Sequence, residues 1–431
     1  MARRYACAHS LEARMPDATD FSLADFHLND NPNVLEPPDD YLEWISDPNV
    51  RQAFTFFEQQ LLTAPRTRSE ILSNLDHERR PIINLTSYNY LGLSTHPEVL
   101  QAAREALDRY GLSASGAPLI SGTFDLHVEL ARRLAEFKQK DDCLLFSSGY
   151  GGNLGALQGM MRKGDIIAMD ERSHKSVIDG ATLSGARKVF FAHNDPDDLA
   201  AQLEKHRDRR ILVVLEGVYS MDGDLCRLPE LADVADEFGA GIYIDEAHST
   251  LMFGENGRGV AEHFGMEDRI GVSYGTLSKS FGGVGGFICA NARLINYLKG
   301  YSSAWNFSCS ASPPVVGGLI KALEVATRDS TLRDRLWHNT DYFRSRLDSM
   351  GLDTGDCESQ VIPLIIGPSG EKLFRYATAM QKRGLFLQPI DYPAVPAHRR
   401  RFRISMSSQL EEEDMDRALN IIEDVIVKDR D

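Results

Sequence analysis

Four segments of the sequence place chemically versatile side chains directly after short apolar runs that predict buried β-strands. The segments are GYGGN (149–153), VYSMDGD (218–224), DEAH (245–248) and TLSKSFGG (276–283). Short apolar strands that alternate with helices predict a parallel sheet covered by helices on both faces. Because ligands of such sheets bind beyond the carboxyl ends of the strands, the four segments should meet at one edge of the sheet.

Together these segments would supply a glycine-rich turn, hydroxyls, a carboxylate beside an imidazole, and a lysine amine. A glycine-rich turn that opens a helix presents free N–H groups to an anion, typically phosphate. Pyridoxal 5′-phosphate (PLP) needs that cradle, a carboxylate for its pyridinium nitrogen and a lysine for a Schiff base. Alone, each segment fits a simpler interpretation: a tight turn, a helix cap, a structural histidine or a surface lysine. Their combination, with Asp245 and Lys279 at neighbouring strand ends, favours PLP.

Other chemistries that parts of these segments suggest lack their remaining motifs. DEAH occurs in helicases, but the chain has no phosphate loop of the type G-x-x-x-x-G-K-[ST]. The run 283–286 lacks the last glycine of G-x-G-x-x-G, and neither H-E-x-x-H nor G-x-S-x-G occurs. We therefore expect no metal site and no nucleotide-binding loop.

At these positions the sequence resembles the α-oxoamine synthases, fold-type-I PLP enzymes. This family includes 8-amino-7-oxononanoate synthase, 2-amino-3-ketobutyrate ligase, 5-aminolevulinate synthase and serine palmitoyltransferase. The resemblance rests on SYNYLGL (87–93), FSSGYGGN (146–153), DERSHKSV (170–177), EGVYSMDGD (216–224), DEAHST (245–250), GTLSKSFGGVGG (275–286), SPP (312–314), YPAVP (392–396) and RFRIS (401–405). The forms SYNYLG, YSM and GTLSKS are most similar to serine palmitoyltransferase.

The resemblance implies an aspartate aminotransferase-like α/β fold. A large PLP-binding domain with a mostly parallel sheet would span 81–325, and a smaller C-terminal α+β domain would span 326–431. Residues 1–80 would form an acidic N-terminal arm and a helical extension.

The resemblance also implies roles around the cofactor ring. Lys279 would form the Schiff base and later move protons at the substrate Cα. Asp245 would pair with the pyridinium nitrogen, and His248, helped by Ser220, would hydrogen-bond the ring O3′. His174 would stack on the ring face.

The remaining implied roles concern the phosphate and the substrate. Ser148, Gly149, Tyr150 and Thr276 would lie at the phosphate end. Ser310 would add a phosphate hydroxyl from the partner subunit, because the family shares active sites across a homodimer. FSCSASPP (307–314) departs from the family pattern at Cys309 and Ala311, so Ser308 is an alternative donor. Arg403 would bind the amino-acid carboxylate with its planar guanidinium fork.

The implied reaction is a decarboxylative Claisen-type condensation that gives an α-amino ketone, CO₂ and a free thiol. A small L-amino acid (serine, alanine or glycine) would react with an acyl thioester carried on coenzyme A or on an acyl carrier protein. Another PLP reaction, such as transamination or a lyase reaction, and a non-catalytic synthase subunit remain as alternatives. Arg399, Arg400 and Arg401 would meet a donor phosphate or belong to an ordinary solvated loop.

Composition limits the class of protein. The 431 residues include 47 Lys and Arg and 63 Asp and Glu, a net charge of −16 that argues against nucleic-acid binding. No apolar run is long enough to predict a membrane span, and no secretory signal is evident. The six cysteines form no C-x-x-C pair, which favours reduced thiols in a cytoplasmic protein.

The elements that position these residues can also be predicted. We expect an irregular arm at 11–40, a helix over 41–76 with an apolar side at Phe54, Phe56, Phe57, Leu61 and Leu62, and a strand at 81–85. Helices should cover 96–111, 125–138 and 313–350, and a last helix should begin near 411. Strands should form at 143–148, 211–217, 241–247, 269–275, 359–367, 385–390 and 401–407. Residues 11–50 carry a net −9, and the apolar Phe21, Leu23, Phe26 and Leu28 would either dock the arm or leave it disordered.

Overall fold

The structure, a computed structural model, describes residues 23, 25–29 and 31–429, without the side chains of 49 and 52. Its strands are β1 Gln60–Leu61, β2 Arg68–Leu72, β3 Arg79–Asn84, β4 Asp142–Phe146, β5 Ile166–Asp170, β6 Arg187–Phe191, β7 Ile211–Glu216, β8 Gly241–Asp245, β9 Val272–Thr276, β10 Gly286–Ala290, β11 Val361–Gly367, β12 Leu385–Phe386, β13 Gln388–Ile390 and β14 Arg400–Ser405. Its helices are α1 Asp39–Ser46, α2 Pro48–Phe54, α3 Pro97–Tyr110, α4 Asp125–Phe137, α5 Gly149–Met160, α6 Lys175–Ser184, α7 Pro196–Glu204, α8 Leu228–Glu237, α9 Val260–His263, α10 Ala292–Tyr301, α11 Ser303–Asn306, α12 Pro313–Arg328, α13 Thr331–Ser349, α14 Gly370–Lys382 and α15 Glu412–Ile422.

A seven-stranded sheet forms the centre of the molecule, in the order β4-β10-β9-β8-β7-β5-β6. Every neighbouring pair in it is parallel except the two that involve β10. Strands β5, β7, β8 and β9 are buried almost throughout, as expected for a sheet covered on both faces. This confirms the predicted α/β class with a mostly parallel sheet.

Two smaller sheets complete the fold. One has the order β11-β14-β13 and is antiparallel, so β14 lies between two neighbours. The other has the order β1-β2-β3-β12 and joins the segment before the large sheet to the C-terminal part of the chain, because β3 pairs with β12. The predicted 385–390 strand is therefore two short strands that belong to different sheets.

The predicted helix over 41–76 was wrong. Only α1 and α2 form there, and the chain then turns into β1 and β2. Pro48 begins α2, and Pro65 cannot donate to a helical hydrogen bond. Burial alternates along β2, which is the period of a strand.

Other predicted elements need smaller corrections. The expected helix over 313–350 is interrupted between α12 and α13, where Asp329 has extended backbone and its carboxylate accepts the N–H of Thr331. Of the arm residues, Phe26 packs its ring on Trp44, with centroids 4.9 Å apart, whereas Leu23 and Leu28 are exposed. Phe21 and Cys7 lie outside the described residues. The five described cysteines are free thiols.

A buried ion pair supports the turn that follows β8. The Lys138 ammonium contacts the Glu246 carboxylate and the Arg258 carbonyl, and its side chain and that of Glu246 are 2% and 1% exposed. Glu246 also accepts the N–H of Ala261 at 3.0 Å. Because Glu246 follows Asp245 directly, the pair fixes the backbone at the end of β8.

We predict that Lys138→Met lowers the free energy of unfolding by about 3–5 kcal/mol, because the Glu246 carboxylate would stay buried without its cation. Urea unfolding followed by fluorescence measures this. Lys428→Met, which removes the exposed partner of Asp424, is the control and should change little. Equal losses in the two variants would contradict the importance of the buried pair.

Candidate active site

The carboxyl ends of neighbouring strands bring the predicted site residues together. Asp245 ends β8, Thr276 ends β9 and Lys279 follows three residues later. The β4–α5 turn and the β5–α6 turn lie at the same edge and carry Ser148 and His174. The sequence-based expectation that the strand ends converge therefore matches the topology.

Lys279 lies in a chain of hydrogen bonds that runs into the protein interior. Its Nζ is 2.7 Å from Nε2 of His248, and Nδ1 of His248 is 2.8 Å from the Tyr90 hydroxyl. His248 and Tyr90 are buried. A neutral amine accepts from Nε2–H while Tyr90 donates to Nδ1; a protonated amine donates to Nε2 and reverses both bonds. The chain can thus accommodate either charge state of Lys279.

Burial lowers the pKa of Lys279 to about 8, because an ammonium is poorly solvated there. The nearby Asp245 carboxylate opposes this shift. Burial also lowers the pKa of His174, and that of His248 falls well below its usual value. The His248 imidazole is therefore neutral at pH 7, and an amine of pKa near 8 can act as a base.

Asp245 is a buried carboxylate with few partners. Its Oδ2 accepts from Nδ2 of Asn153 at 2.8 Å, and its Oδ1 accepts the Ala247 N–H at 2.9 Å. The Asn153 carbonyl in turn accepts from the Tyr243 hydroxyl, which fixes the orientation of the amide. Burial raises the pKa of Asp245. A cationic ring nitrogen placed against this carboxylate would offset that cost.

The turn between β4 and α5 has the features of an anion cradle. The Ser148 side chain caps α5 by accepting the Gly151 N–H at 3.0 Å. The N–H groups of Gly149 and Tyr150 have no acceptor within the helix, because they belong to its first turn. A Cβ at Gly149 would lie 2.7 Å from the Thr276 hydroxyl, so only glycine permits this close approach. The Thr276 hydroxyl donates to the Gly285 carbonyl at 3.1 Å.

His174 and Arg403 approach the site from different parts of the chain. The His174 N–H donates to Glu216 of β7, and its Nδ1 is 2.7 Å from the Ser176 hydroxyl. Arg403, on β14, donates to the Tyr88 hydroxyl, and its guanidinium carbon is 4.9 Å from the Tyr88 ring centroid. The Lys279 amine lies 5.6 Å from the same ring centroid. Tyr88 therefore links the lysine to the proposed carboxylate-binding arginine.

Of the remaining predicted residues, two have other partners, and Ser220 follows β7 at the same edge of the sheet. The Tyr150 hydroxyl donates to Asp179 on the exposed side of α6. Ser220 lies in the loop between β7 and α8. Ser310 donates its N–H to Gly116 and lines a cavity of about 410 Å³ that neither Lys279 nor Asp245 lines. Within one chain, Ser310 is thus not joined to the other site residues.

Arg400 and Arg401 do not have the roles considered for them from the sequence. Arg401 is fully buried and donates to Asp222 and to the Met221 carbonyl. Arg400 is paired with Asp391. A run of arginines suggested solvent exposure, but the alternation of β14 turns Arg401 inward.

Sequence reasoning missed several residues of the site. Asn153, Tyr88 and Tyr90 lie in motifs that carried the family resemblance, but no role was assigned to them. Glu216 is the residue opposite Asp245 in the β7–β8 ladder. The sequence signal that could have identified Glu216 was its position at the end of a predicted strand.

The described residues fit PLP. The first turn of α5 suits its phosphate, buried Asp245 suits a cationic ring nitrogen, and Lys279 suits its aldehyde. The close approach of Gly149 to Thr276 also places the Thr276 hydroxyl beside the first turn of α5. The fit rests on the donor set and the burial of these groups.

We predict that, in the PLP-free protein, the rate at which Lys279 condenses with added PLP rises with pH about a midpoint near 8. Asp245→Asn should move that midpoint down by about one pH unit, because the carboxylate favours the ammonium. Stopped-flow absorbance measures the rates. Asp424→Asn, far from the site, is the control; a midpoint near the ordinary lysine value of 10.5 would contradict the argument.

The family model for aminotransferase class I and II matches residues 80–422. The 8-amino-7-oxononanoate synthase of Thermoanaerobacter pseudethanolicus is 39% identical over 348 residues, which cover 80% of this chain and 88% of that protein. The 4-hydroxy-2,2'-bipyrrole-5-methanol synthase PigH of Serratia sp. is 34% identical over 403 residues. That alignment covers 93% of this chain but 61% of PigH, and it therefore includes part of the segment before residue 80.

A solved structure of the serine palmitoyltransferase SPT with PLP superposes with a TM-score of 0.82 and 32% identity, covering 86% of this chain and 92% of that one. The aligned regions cover most of this chain, and the sequence identities are higher than a shared fold alone would require. The chain belongs to the aminotransferase class I and II family and, within it, to the α-oxoamine synthases, the PLP-dependent acyltransferases that condense an amino acid with an acyl thioester.

Proposed function

We propose that this enzyme joins a small L-amino acid, serine first and alanine or glycine next, to an acyl group carried on coenzyme A or an acyl carrier protein. The observation that carries the proposal is the convergence of Lys279, His248 and Arg403 on the Tyr88 side chain. An amine base and a guanidinium on one aromatic ring suit a substrate that has an acidic Cα–H beside a carboxylate.

In this proposal, each side chain has one task. Asp245 would hold the ring nitrogen of PLP and Lys279 its aldehyde, and PLP would supply an electron sink for the carbanion at the substrate Cα. Once the substrate amine has replaced it on the cofactor, the free Lys279 amine takes the Cα proton and later returns one, which its lowered pKa favours near neutral pH. Arg403 holds the substrate carboxylate until it leaves as CO₂, and His174 lies against the ring face. The acyl carbon bonds to Cα as the thiol leaves.

The decisive test is mass spectrometry of the products from a panel of amino acids crossed with acyl-coenzyme A and acyl-carrier-protein donors. We expect an α-amino ketone together with equimolar thiol and CO₂. A keto acid with no thiol release would instead indicate transamination and would overturn the proposal.

We predict that Arg403→Lys raises the KM for the amino acid by about 10- to 100-fold and leaves the KM for the thioester nearly unchanged, because lysine cannot bind a carboxylate bidentately. Steady-state kinetics with each substrate varied in turn measures this. Arg399→Lys, a neighbouring substitution outside the strand, is the control. Equal effects on both KM values would contradict a role in binding the carboxylate.

We also propose a homodimer with shared active sites, to which Ser310 contributes across the interface. Two loops joined by the hydrogen bond from Ser310 N–H to Gly116 expose large apolar side chains. These are Leu112, Leu119, Ile120 and Phe307. A patch of this kind is rare on a monomer and favours burial against a second copy. The segment that carries Ser310 would then reach the partner's phosphate end.

We predict that Leu119→Glu gives a monomer that binds PLP weakly, because it puts a charge into the apolar patch. Mass photometry and PLP absorbance after gel filtration measure both effects. Leu183→Glu is a matched control, since Leu183 on α6 is 62% exposed and Leu119 is 61% exposed. A dimer with full PLP content after Leu119→Glu would contradict this interface.

The localisation we propose is the cytoplasm, where thiols stay reduced. Four of the five described cysteines are buried free thiols, and Cys309 is exposed. Among the described helices, none is both long and apolar enough to cross a membrane.

A further inference from the structure

The loop between β7 and α8, residues 218–225, packs tightly against the sheet that carries Arg403. Gly223 has a φ of 72°, and a Cβ there would lie 2.0 Å from the Val361 carbonyl oxygen of β11. The Gly223 carbonyl accepts the Glu358 N–H at 3.0 Å. The loop and the small sheet therefore meet with no space for a side chain at Gly223.

Within this loop, the Asp222 carboxylate is held by two arginines from different parts of the site. Its Oδ1 accepts from Nη1 of Arg401 at 2.7 Å, and its Oδ2 lies 3.0 Å from Nη1 of Arg172. Arg172 precedes His174 by two residues, and Arg401 precedes Arg403 by two residues. One carboxylate thus connects the turn of His174 to the strand of Arg403.

Arg401 and Arg403 lie on the same face of β14, because alternate residues of a strand share a face. Both reach Met221: Arg401 donates to its carbonyl at 2.8 Å, and the Arg403 Nη1 lies 4.0 Å from its sulfur. The Arg401 side chain is 1% exposed, so its positive charge is stabilised by protein groups rather than by water. Its bonds are to Asp222 and to the carbonyls of Met221 and Arg399.

We propose that Asp222 is a positioning residue that, through Arg401, fixes β14 so that Arg403 points at the amino-acid carboxylate. The inference rests on the proposed role of Arg403. Without the Asp222 charge, Arg401 would be a buried guanidinium with carbonyl partners alone, and β14 would shift relative to the 218–225 segment. Such a shift would displace Arg403 and leave the positions of Lys279 and Asp245 unchanged. The pKa of Asp222 is held below its usual value by Arg401 and Arg172, so the carboxylate stays charged near pH 7.

The test compares Asp222→Asn with Asp391→Asn in the PLP-loaded enzyme. Asp391 pairs with Arg400, the neighbouring arginine of the same strand, but that pair does not reach the 218–225 loop. We expect Asp222→Asn to raise the dissociation constant of the amino acid, read from the PLP absorbance, and its KM by about tenfold. The kcat and the thioester KM should change by less than about threefold, and Asp391→Asn should leave all these values near those of the parent.

Asp222→Glu, which keeps the carboxylate, should restore part of the affinity. If Asp222→Asn fails to fold, Arg401→Lys keeps the buried charge and should raise the same dissociation constant. The inference is overturned if Asp222→Asn leaves amino-acid affinity unchanged, if it lowers only the melting temperature, or if Asp391→Asn has an equal effect. Arg403→Lys separates the two proposals: unchanged amino-acid affinity in that variant contradicts the role of Arg403, whereas a loss there without one in Asp222→Asn contradicts the inference alone.

Discussion

The burial of an amine and a carboxylate at one edge of the large sheet is the constraint on which the site depends. Burial favours the neutral form of Lys279 and of Asp245, so the pKa of the lysine falls and that of the aspartate rises. Each charge lowers the cost of the other. Neighbouring groups stabilise both side chains. Asn153 and the Ala247 N–H donate hydrogen bonds to the carboxylate, and His248 is hydrogen-bonded to the amine.

The supports of the site come from parts of the chain that are far apart in sequence. Lys138, at the end of α4, holds Glu246 immediately behind Asp245. Arg403 lies on β14 of the small sheet, and β14 is attached to the loop between β7 and α8 through the hydrogen bond of Arg401 to Asp222. In the proposed reaction, substrate binding and proton transfer use residues on two sheets, whose relative position is supported by the Asp222–Arg401 pair and by the hydrogen bond from Glu358 N–H to the Gly223 carbonyl.

Much of the site was predictable because its residues follow a local rule. Gly149, Asp245 and Lys279 each follow an apolar run that predicts a strand, so their positions at strand ends can be predicted. Parallel topology then brings these strand ends together. Tyr90 and Glu216 were missed because their importance comes from contacts across the fold. Arg401 points inward because of its position in β14, and a run of arginines in the sequence does not indicate which of them will point inward. The prediction of a helix over 41–76 was wrong because the spacing of its apolar residues is equally compatible with one helix and with the separate short elements that form.

A crystal structure of the enzyme with PLP and a non-reactive amino-acid analogue would show whether the buried amine and carboxylate hold the cofactor. We expect the PLP phosphate at the first turn of α5, the ring nitrogen within hydrogen-bond distance of Asp245, and the analogue's carboxylate on Arg403. A PLP phosphate bound away from Gly149, or a carboxylate held by another arginine, would contradict it.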